Sequence, residues 1–483
     1  MLRFRPSGKK DLETGAHLGS ALKEKCGVFG IYSPQRVQDP QILKIGLLFL
    51  QHRGQESAGV FISDFERIKT VKGMGLVAHV LEDLSDLFPF RIGIGHTRYS
   101  TAGSSAPSSA QPIVVKTRWG ELAVVHNGNI VNFYEIRKSL MNNGHVFQSD
   151  ADSELFLHLM NSSEEEDPVE AFIEAARQLK GSFSVIIASR DFLMVARDSF
   201  GIRPLFYAVG PYGEMAFSSE TVSFDVIGYE VLGEVPPGQV WFLRKDRFEK
   251  VEFASPRKRF CSFEAVYFSR PDSLIKIGED KVSFYTLRKE FGRKLAEEAF
   301  VEADVVVPLP DSGTPAAVGF SKESGIPLEM FLVRNRYSGR TFIHPSQITR
   351  KMGVKIKFNP VSPEIKGKRV VLVDDSIVRG TTITQVVEMM RRAGAREVHV
   401  RVASPPVRYP CFYGIDMPTF EELIASSGSA DSLGADSLIY LSYEGFREIL
   451  ERLYGEYAFC DACFSGNYPI GVPNFHFAGR KRK

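Results

Sequence analysis

The sequence predicts two unlike halves: an α+β half of stacked antiparallel sheets covered by helices, then an α/β half built on a buried parallel sheet. Three observations carry this. Up to about residue 250, short strand-like runs alternate with turn residues and are interrupted by few helical stretches. Beyond about residue 300, continuous apolar runs alternate with helix-compatible segments, the pattern of βαβ units. The chain has 483 residues, which suits two or three domains of ~100–200 residues each.

In the first half, strands are read at CGVFGIY (26–32), RIGIGH (91–96), ELAVVHNG (121–128), FSVIIAS (183–189) and EMAFSSE (214–220). Helices are read at PQILKIGLLFLQH (40–52), with apolar residues at helical spacing, and at DPVEAFIEAARQL (167–179). Residues 250–290 link the halves. In the second half, ADVVVPLP (303–310), IPLEMFLV (326–333) and KRVVLVDD (368–375) read as buried strands. The helix TQVVEMMRRAGA (384–395) and the strand EVHVRVAS (397–404) follow. No internal repeat or low-complexity tract is visible.

Composition narrows the function classes. The 60 Lys and Arg against 58 Asp and Glu leave a formal charge of +2, so nothing argues for nucleic acid or a membrane surface. The basic tail Arg480–Lys483 reads as a solvated terminus. No run approaches the ~18 apolar residues of a membrane span. The first twenty-five residues lack the apolar core of a secretory signal, and the cysteines are few and odd in number. Both point to the cytoplasm.

The sharpest motif is VVLVDDSIVRGTT (370–382). Its strand ends in Asp374 and Asp375, at the carboxyl edge where open α/β sheets bind ligands. The loop that follows offers backbone amides, a helix start and the hydroxyls of Ser376, Thr381 and Thr382, with Gly380 allowing close approach of a phosphate. The two carboxylates suit sugar hydroxyls. A generic strand–turn–helix explains one acid and one cap, but not this whole set. PDSG (310–313) follows an earlier strand, and NRYSGRTF (335–342) places Arg336 and Arg340 around a glycine.

The first half offers a second constellation. Cys26 is a candidate nucleophile, although a lone cysteine is more often buried filler. Arg98, at a strand end in HTRYST (96–101), can fork a carboxylate. In HNGNI (126–130), the Asn127 amide and the Gly128 N–H suit an oxyanion. Asp152, in QSDADSE (148–154), can hold an ammonium. Each piece alone has a bland reading as a surface pair, a turn or a helix cap. Together they describe hydrolysis of a free amino-acid side-chain amide, that of glutamine.

Here a resemblance adds to the reading. CGVFGIY, LQHRGQESAG (50–59), GHTRYSTAG (95–103), HNGNI, RDSFGIRPL (197–205) and SSE (218–220) resemble the class II glutamine amidotransferases. Those are N-terminal-nucleophile hydrolases of αββα fold. VDDSIVRGTT resembles the phosphoribosyl-diphosphate motif of the type I phosphoribosyltransferases, and PDSG their diphosphate loop. The likeness runs from about residue 26 to 469 and includes PSQITR (345–350), SPPVRYPCFYGID (404–416) and GADSLIYLS (434–442). Glucosamine-6-phosphate synthase and asparagine synthetase share the first half, but the 370–382 loop argues against both. A non-catalytic regulator is disfavoured because every catalytic position is filled.

The resemblance implies a reaction: glutamine is hydrolysed, and its ammonia passes internally to phosphoribosyl diphosphate. The products are 5-phosphoribosylamine, glutamate and diphosphate, at the entry to purine synthesis. It implies that Cys26 is the nucleophile and that its own α-amine is the base, with a reference pKa of ~7.7–8.0. That requires residues 1–25 to be a propeptide, although Glu24-Lys25 replaces the acidic residue often found before the cysteine. Arg98 and Asp152 would hold glutamine, with Asn127 and Gly128 as the oxyanion hole. Asp374 and Asp375 would bind ribose, while Ser376, Gly380, Thr381 and Thr382 take the phosphate. Arg336 and Arg340 would lie in a closing lid. Mg²⁺ would ride on the diphosphate near Ser312, Asp374 and Asp375. The implied domains are 26–250 (amidotransferase), 251–290 (linker) and 291–470 (transferase with a C-terminal cluster-binding segment), ahead of a 471–483 tail. Purine nucleotides as feedback inhibitors and a homotetramer are implied as well.

The other cysteines are Cys261, Cys411, Cys460 and Cys463, the last two spaced as CxxC. Spacing does not separate zinc from iron–sulfur. The contexts FCSFEAVYF (260–268), PPVRYPCFYGID and CDACFSGNYP (460–469) resemble the [4Fe–4S] subgroup of such enzymes, which implies a structural cluster on these four thiols.

Overall fold

The structure is a computed structural model. It describes residues 26–473 apart from 86, 100–105, 278–280, 336–356, 416, 418–419, 421–422, 424–428 and 455–458. The expected propeptide, Arg336, Arg340 and the tail beyond 473 lie outside the described residues.

Two antiparallel sheets form the first half. One has seven strands in the spatial order Glu230–Glu234, Phe206–Val209, Met215–Ser218, Gly27–Val37, Phe90–Arg98, Ser57–Ser63, Ile68–Met74. The other has six, in the order Arg247–Glu252, Gln239–Arg244, Phe192–Arg197, Gly181–Ala188, Gly120–Ile130, Ile113–Thr117. Strand alternation sorts their residues. Val28 faces the second sheet, in a core with Ile94, Val125, Ile186 and Trp241. Its neighbours Phe29 and Ile31 face the other way, onto Leu43 and Leu47 of the helix Gln41–Phe49. The second sheet is covered by Glu154–Ser162 and Pro168–Gln178. The layers are therefore α, β, β, α. The central strands are buried on both faces and read as near-continuous apolar runs, while edge strands such as Ile68–Met74 and Arg247–Glu252 stay partly exposed. The Glu154–Ser162 helix was not legible, because Glu154 to Met160 are all buried and leave no polar face to mark its period.

The second half holds a parallel sheet in the order Val305–Pro308, Arg369–Asp374, Glu397–Val402, Ser437–Tyr440. The run 326–333 is not one of its strands. It touches the sheet only through a bridge from Leu328 to Val306, and its end, Leu332–Arg334, pairs antiparallel with Phe358–Pro360 outside the sheet. Exposed Glu329 and Met330 interrupt what the apolar letters suggested.

Two helices on this sheet, Phe284–Glu298 and Thr314–Ser324, cross with backbones in contact. A Cβ on Gly292 would lie 1.8 Å from the Ala316 carbonyl oxygen, and one on Gly319 would lie 1.9 Å from that of Lys289. The halves are joined by direct hydrogen bonds: Asn129 Nδ2 donates to the Phe412 carbonyl at 2.8 Å, and the Ser182 hydroxyl to that of Tyr413 at 2.6 Å. Phe260–Cys261 pairs in parallel with Phe459–Cys460, fastening the link to the C-terminal segment. Among the described residues no helix is long and apolar enough to cross a membrane.

Candidate active sites and a cysteine cavity

Cys26 precedes the strand Gly27–Val37, where Gly27 pairs with Thr97, next to Arg98. Its Sγ lies 3.8 Å from the Tyr99 carbonyl oxygen. Asn127 and Gly128 belong to the other sheet, opposite Ser184 and Phe183. Ser219 staples the two. Its hydroxyl accepts from the Val28 amide at 3.0 Å and from Asn127 Nδ2 at 3.5 Å, and its own amide donates to the Val28 carbonyl at 3.1 Å. A second staple is His96, whose Nε2 lies 3.1 Å from the His126 carbonyl oxygen. Burial pushes its pKa down to about 3, so at neutral pH the ring is uncharged and donates through Nε2.

Asp152 is nearly buried. Its Oδ2 accepts from the Ile130 amide at 2.9 Å, and its Oδ1 lies 3.4 Å from His126 Nδ1. Burial pushes its pKa up, but His126, the Ile130 amide and the Arg98 charge outweigh that and hold it below the usual carboxylate value. The group is an anion fixed in place. The Arg98 guanidinium, buried as well, lies 4.0 Å from Glu56. Ser219 and His96 thus tie the strands beside Cys26 and Arg98 to the strand of Asn127 and Gly128, and His126 reaches from that strand to Asp152.

Beneath Cys26 lies a charge cluster that sequence reasoning missed. Arg53, Arg203, Glu220 and Glu264 are all fully buried. Arg53 donates through Nε to the Cys26 carbonyl at 3.3 Å and through Nη2 to Glu264 at 2.6 Å, and its Nη1 pairs with Glu220. Arg203 pairs with Glu264 from the other side. The letters were visible in LQHRGQESAG, RDSFGIRPL and SSE, but nothing in them marks a charge as buried.

At the second site, Asp374 ends the strand Arg369–Asp374, and Gly380 caps the helix Thr381–Arg392 with φ of +76°. That left-handed turn favours glycine. Ser376, Thr381 and Thr382 fall on the loop and first helical turn between them. The PDSG loop packs alongside: the Leu309 amide donates to the Val373 carbonyl at 2.8 Å, and the Ser312 hydroxyl bonds Asp375. The Ser376 hydroxyl donates to Asp375 at 2.6 Å. Burial and then the neighbouring Asp375 charge push Asp374 well above its ordinary pKa, and burial likewise raises Asp375 against the hydroxyls and Arg288. Two adjacent buried carboxylates with raised pKa mark this loop as a candidate binding site.

Cys261, Cys411, Cys460 and Cys463 line one small cavity. The Tyr413 and Ile415 amides each point at Cys411 Sγ, both at 3.4 Å. Burial pushes the Cys261 thiol up to about 11 and raises Cys460 and Cys463 well above the ordinary value. Among the described residues, no three His, Cys, Asp or Glu side chains converge tightly enough for a single metal ion.

Comparison with known proteins agrees with this division. Residues 96–225 match the family model of a glutamine amidotransferase domain, and residues 286–404 that of a phosphoribosyl transferase domain. The chain is 44% identical over 457 residues to the amidophosphoribosyltransferase of Archaeoglobus fulgidus, covering 93% of this chain and 98% of that one. It is 43% identical over 462 residues to the amidophosphoribosyltransferase of Bacillus subtilis, covering 93% and 95%. The solved glutamine phosphoribosylpyrophosphate amidotransferase from B. subtilis, complexed with ADP and GMP, superposes with a TM-score of 0.85 at 42% identity, covering 92% of this chain and 97% of that one.

Proposed function

The chain belongs to the amidophosphoribosyltransferases, and from that premise we propose that Cys26 and the 374–382 loop are the two ends of one reaction. The enzyme aminates phosphoribosyl diphosphate with nitrogen from glutamine, the first step of purine biosynthesis. Cys26 Sγ attacks the glutamine amide, Asn127 and the Gly128 amide receive the developing oxyanion, and Arg98 and Asp152 hold the amino-acid end. Ammonia crosses to the second site and displaces diphosphate from the ribose held by Asp374 and Asp375, with the phosphate on Ser376, Gly380, Thr381 and Thr382. The single observation behind this assignment is the Ser219 staple, which fixes the strand of Asn127 to that of Cys26. The base is the free α-amine of Cys26, so residues 1–25 are removed before the enzyme works.

The decisive measurement is glutamine-dependent diphosphate release with Mg²⁺ in wild type and Cys26→Ala. The variant should lose turnover with glutamine and keep it with ammonia. Equal glutamine activity in both would sink the assignment, and an active enzyme beginning at Met1 would sink the processing.

Mg²⁺ fits the second site as a cation carried on the diphosphate, with Asp374, Asp375 and Ser312 nearby. A [4Fe–4S] cluster fits the cysteine cavity. Four soft cysteine sulfur donors line it, too spread for one ion yet around one space, and they would bind as thiolates. When bound, the cluster would supply a cross-link between the link segment and the C-terminal segment. Anaerobic protein should be brown with about four irons per chain; a colourless zinc protein would overturn this. Purine-nucleotide inhibition, in line with the ADP and GMP carried by the B. subtilis structure, completes the reading, together with a tetrameric assembly as a separate expectation.

A further inference from the structure

Arg203 is fully buried, and only Nη2 of its guanidinium finds a partner among the described residues, in Glu264. Nε and Nη1 have none. A buried cation with two open donors is a costly arrangement unless something meets them. Arg203 lines the same small cavity as the four cysteines, and its positive charge acts on Cys261. The backbone holds it there, since the Cys261 amide donates to the carbonyl of Ile202, at 3.3 Å. Apart from the cysteines, the cavity wall is apolar and aromatic. Arg203 therefore shares a buried space with four sulfur atoms and has two donors to offer there.

We infer that Arg203 is a positioning residue for the anionic sulfur-ligated group of this cavity: Nε and Nη1 donate to it, and Nη2 passes its constraint through Glu264 and Arg53 to the Cys26 backbone. This rests on the cluster reading above. The chain of contacts is continuous, from cavity to Arg203, Glu264 and Arg53, and on to the Cys26 carbonyl. The group in the cavity and the nucleophile are thus tied to one buried set of charges. Arg53 and Glu220 remain a balanced pair when Arg203 and Glu264 are removed together.

The test compares wild type, Arg203→Met with Glu264→Gln, and Arg203→Lys after anaerobic reconstitution. Iron and sulfide content, reduction potential and the rate of bleaching in air are measured. The double variant should hold the cluster at a lower reduction potential, because the nearer positive charge is gone, and lysine should restore the potential. A packing defect alone would speed bleaching without shifting the potential. If the double variant does not fold, Arg203→Gln alone decides, since Glu264 keeps Arg53 as its partner: a potential below that of wild type is expected, and an unchanged potential overturns the inference. One potential shared by wild type and the double variant overturns it too. Wild type that takes up no iron refutes the cluster reading itself, and the inference with it.

Discussion

The Arg53 guanidinium donates to the carbonyl oxygen of Cys26 at 3.3 Å, so the residue ahead of the first strand is held by a charge with no exposure to solvent. Its remaining nitrogens are committed to Glu220 and Glu264. Removing one partner of a buried ion pair leaves the other unmatched and costs about 3–5 kcal/mol. Arg53→Met should therefore lower the urea midpoint strongly. Arg53→Lys keeps the charge but loses the fork. It should fold, yet lose glutamine turnover while keeping ammonia turnover. Equal loss of both would place Arg53 outside the positioning of Cys26.

Asp374 trades stability for binding. Its folded pKa is raised above the ordinary 3.8 by burial and by Asp375. The folded state thus binds more protons than the unfolded one as pH rises past that value, and this carboxyl's contribution falls with increasing pH. Asp374→Asn should raise the melting temperature of ligand-free protein at neutral pH. It should also cut turnover by about 100-fold or more if, as proposed, Asp374 is an acceptor for the ribose hydroxyls. A variant less stable than wild type at neutral pH would contradict the sign.

His96 acts in the opposite direction. Its folded pKa of about 3 lies below the ordinary 6.5, so the unfolded state binds the extra proton between those values. Stability is lost as pH falls from 6.5 toward 3. The slope is at most one proton, about 1.4 kcal/mol per pH unit. In His96→Gln the acid limb of a urea-unfolding pH series should flatten by that amount, whatever the variant's overall stability. An unchanged slope would remove His96 from the acid response.

The crossing at Gly292 and Gly319 leaves no room for a side chain. The atoms a methyl would strike are backbone carbonyl oxygens, at 1.8 and 1.9 Å, which cannot rotate away. Gly319→Ala should destabilise by about 1–3 kcal/mol or more through forced separation of the helices. Denaturant midpoints measure this. A neutral result would mean the helices slide freely.

Much of the fold was legible because it follows from period and punctuation. The 370–382 stretch declared its strand, acids and loop, and the structure places them in that order. The 326–333 run misled because its apolar letters are shared between a bridge and a peripheral ribbon. In the amidotransferase site, the groups expected to touch substrate could be named from their chemistry. Their supports, Ser219, His96 and the Arg53–Glu264–Arg203 chain, could not. An arginine buried in a core and one on a surface are the same letter, and only tertiary packing tells them apart.

The cysteine cavity draws on both ends of the second half. Cys261 lies in the link, Cys411 follows the third parallel strand, and Cys460 and Cys463 come almost last, with Cys460 paired to Cys261 through a short parallel ladder. During synthesis, the residues of both antiparallel sheets and of all four strands of the parallel sheet are made before those last two thiols. The cavity therefore closes last: its wall has no complete set of four thiols until nearly all of the sheet residues have been synthesised.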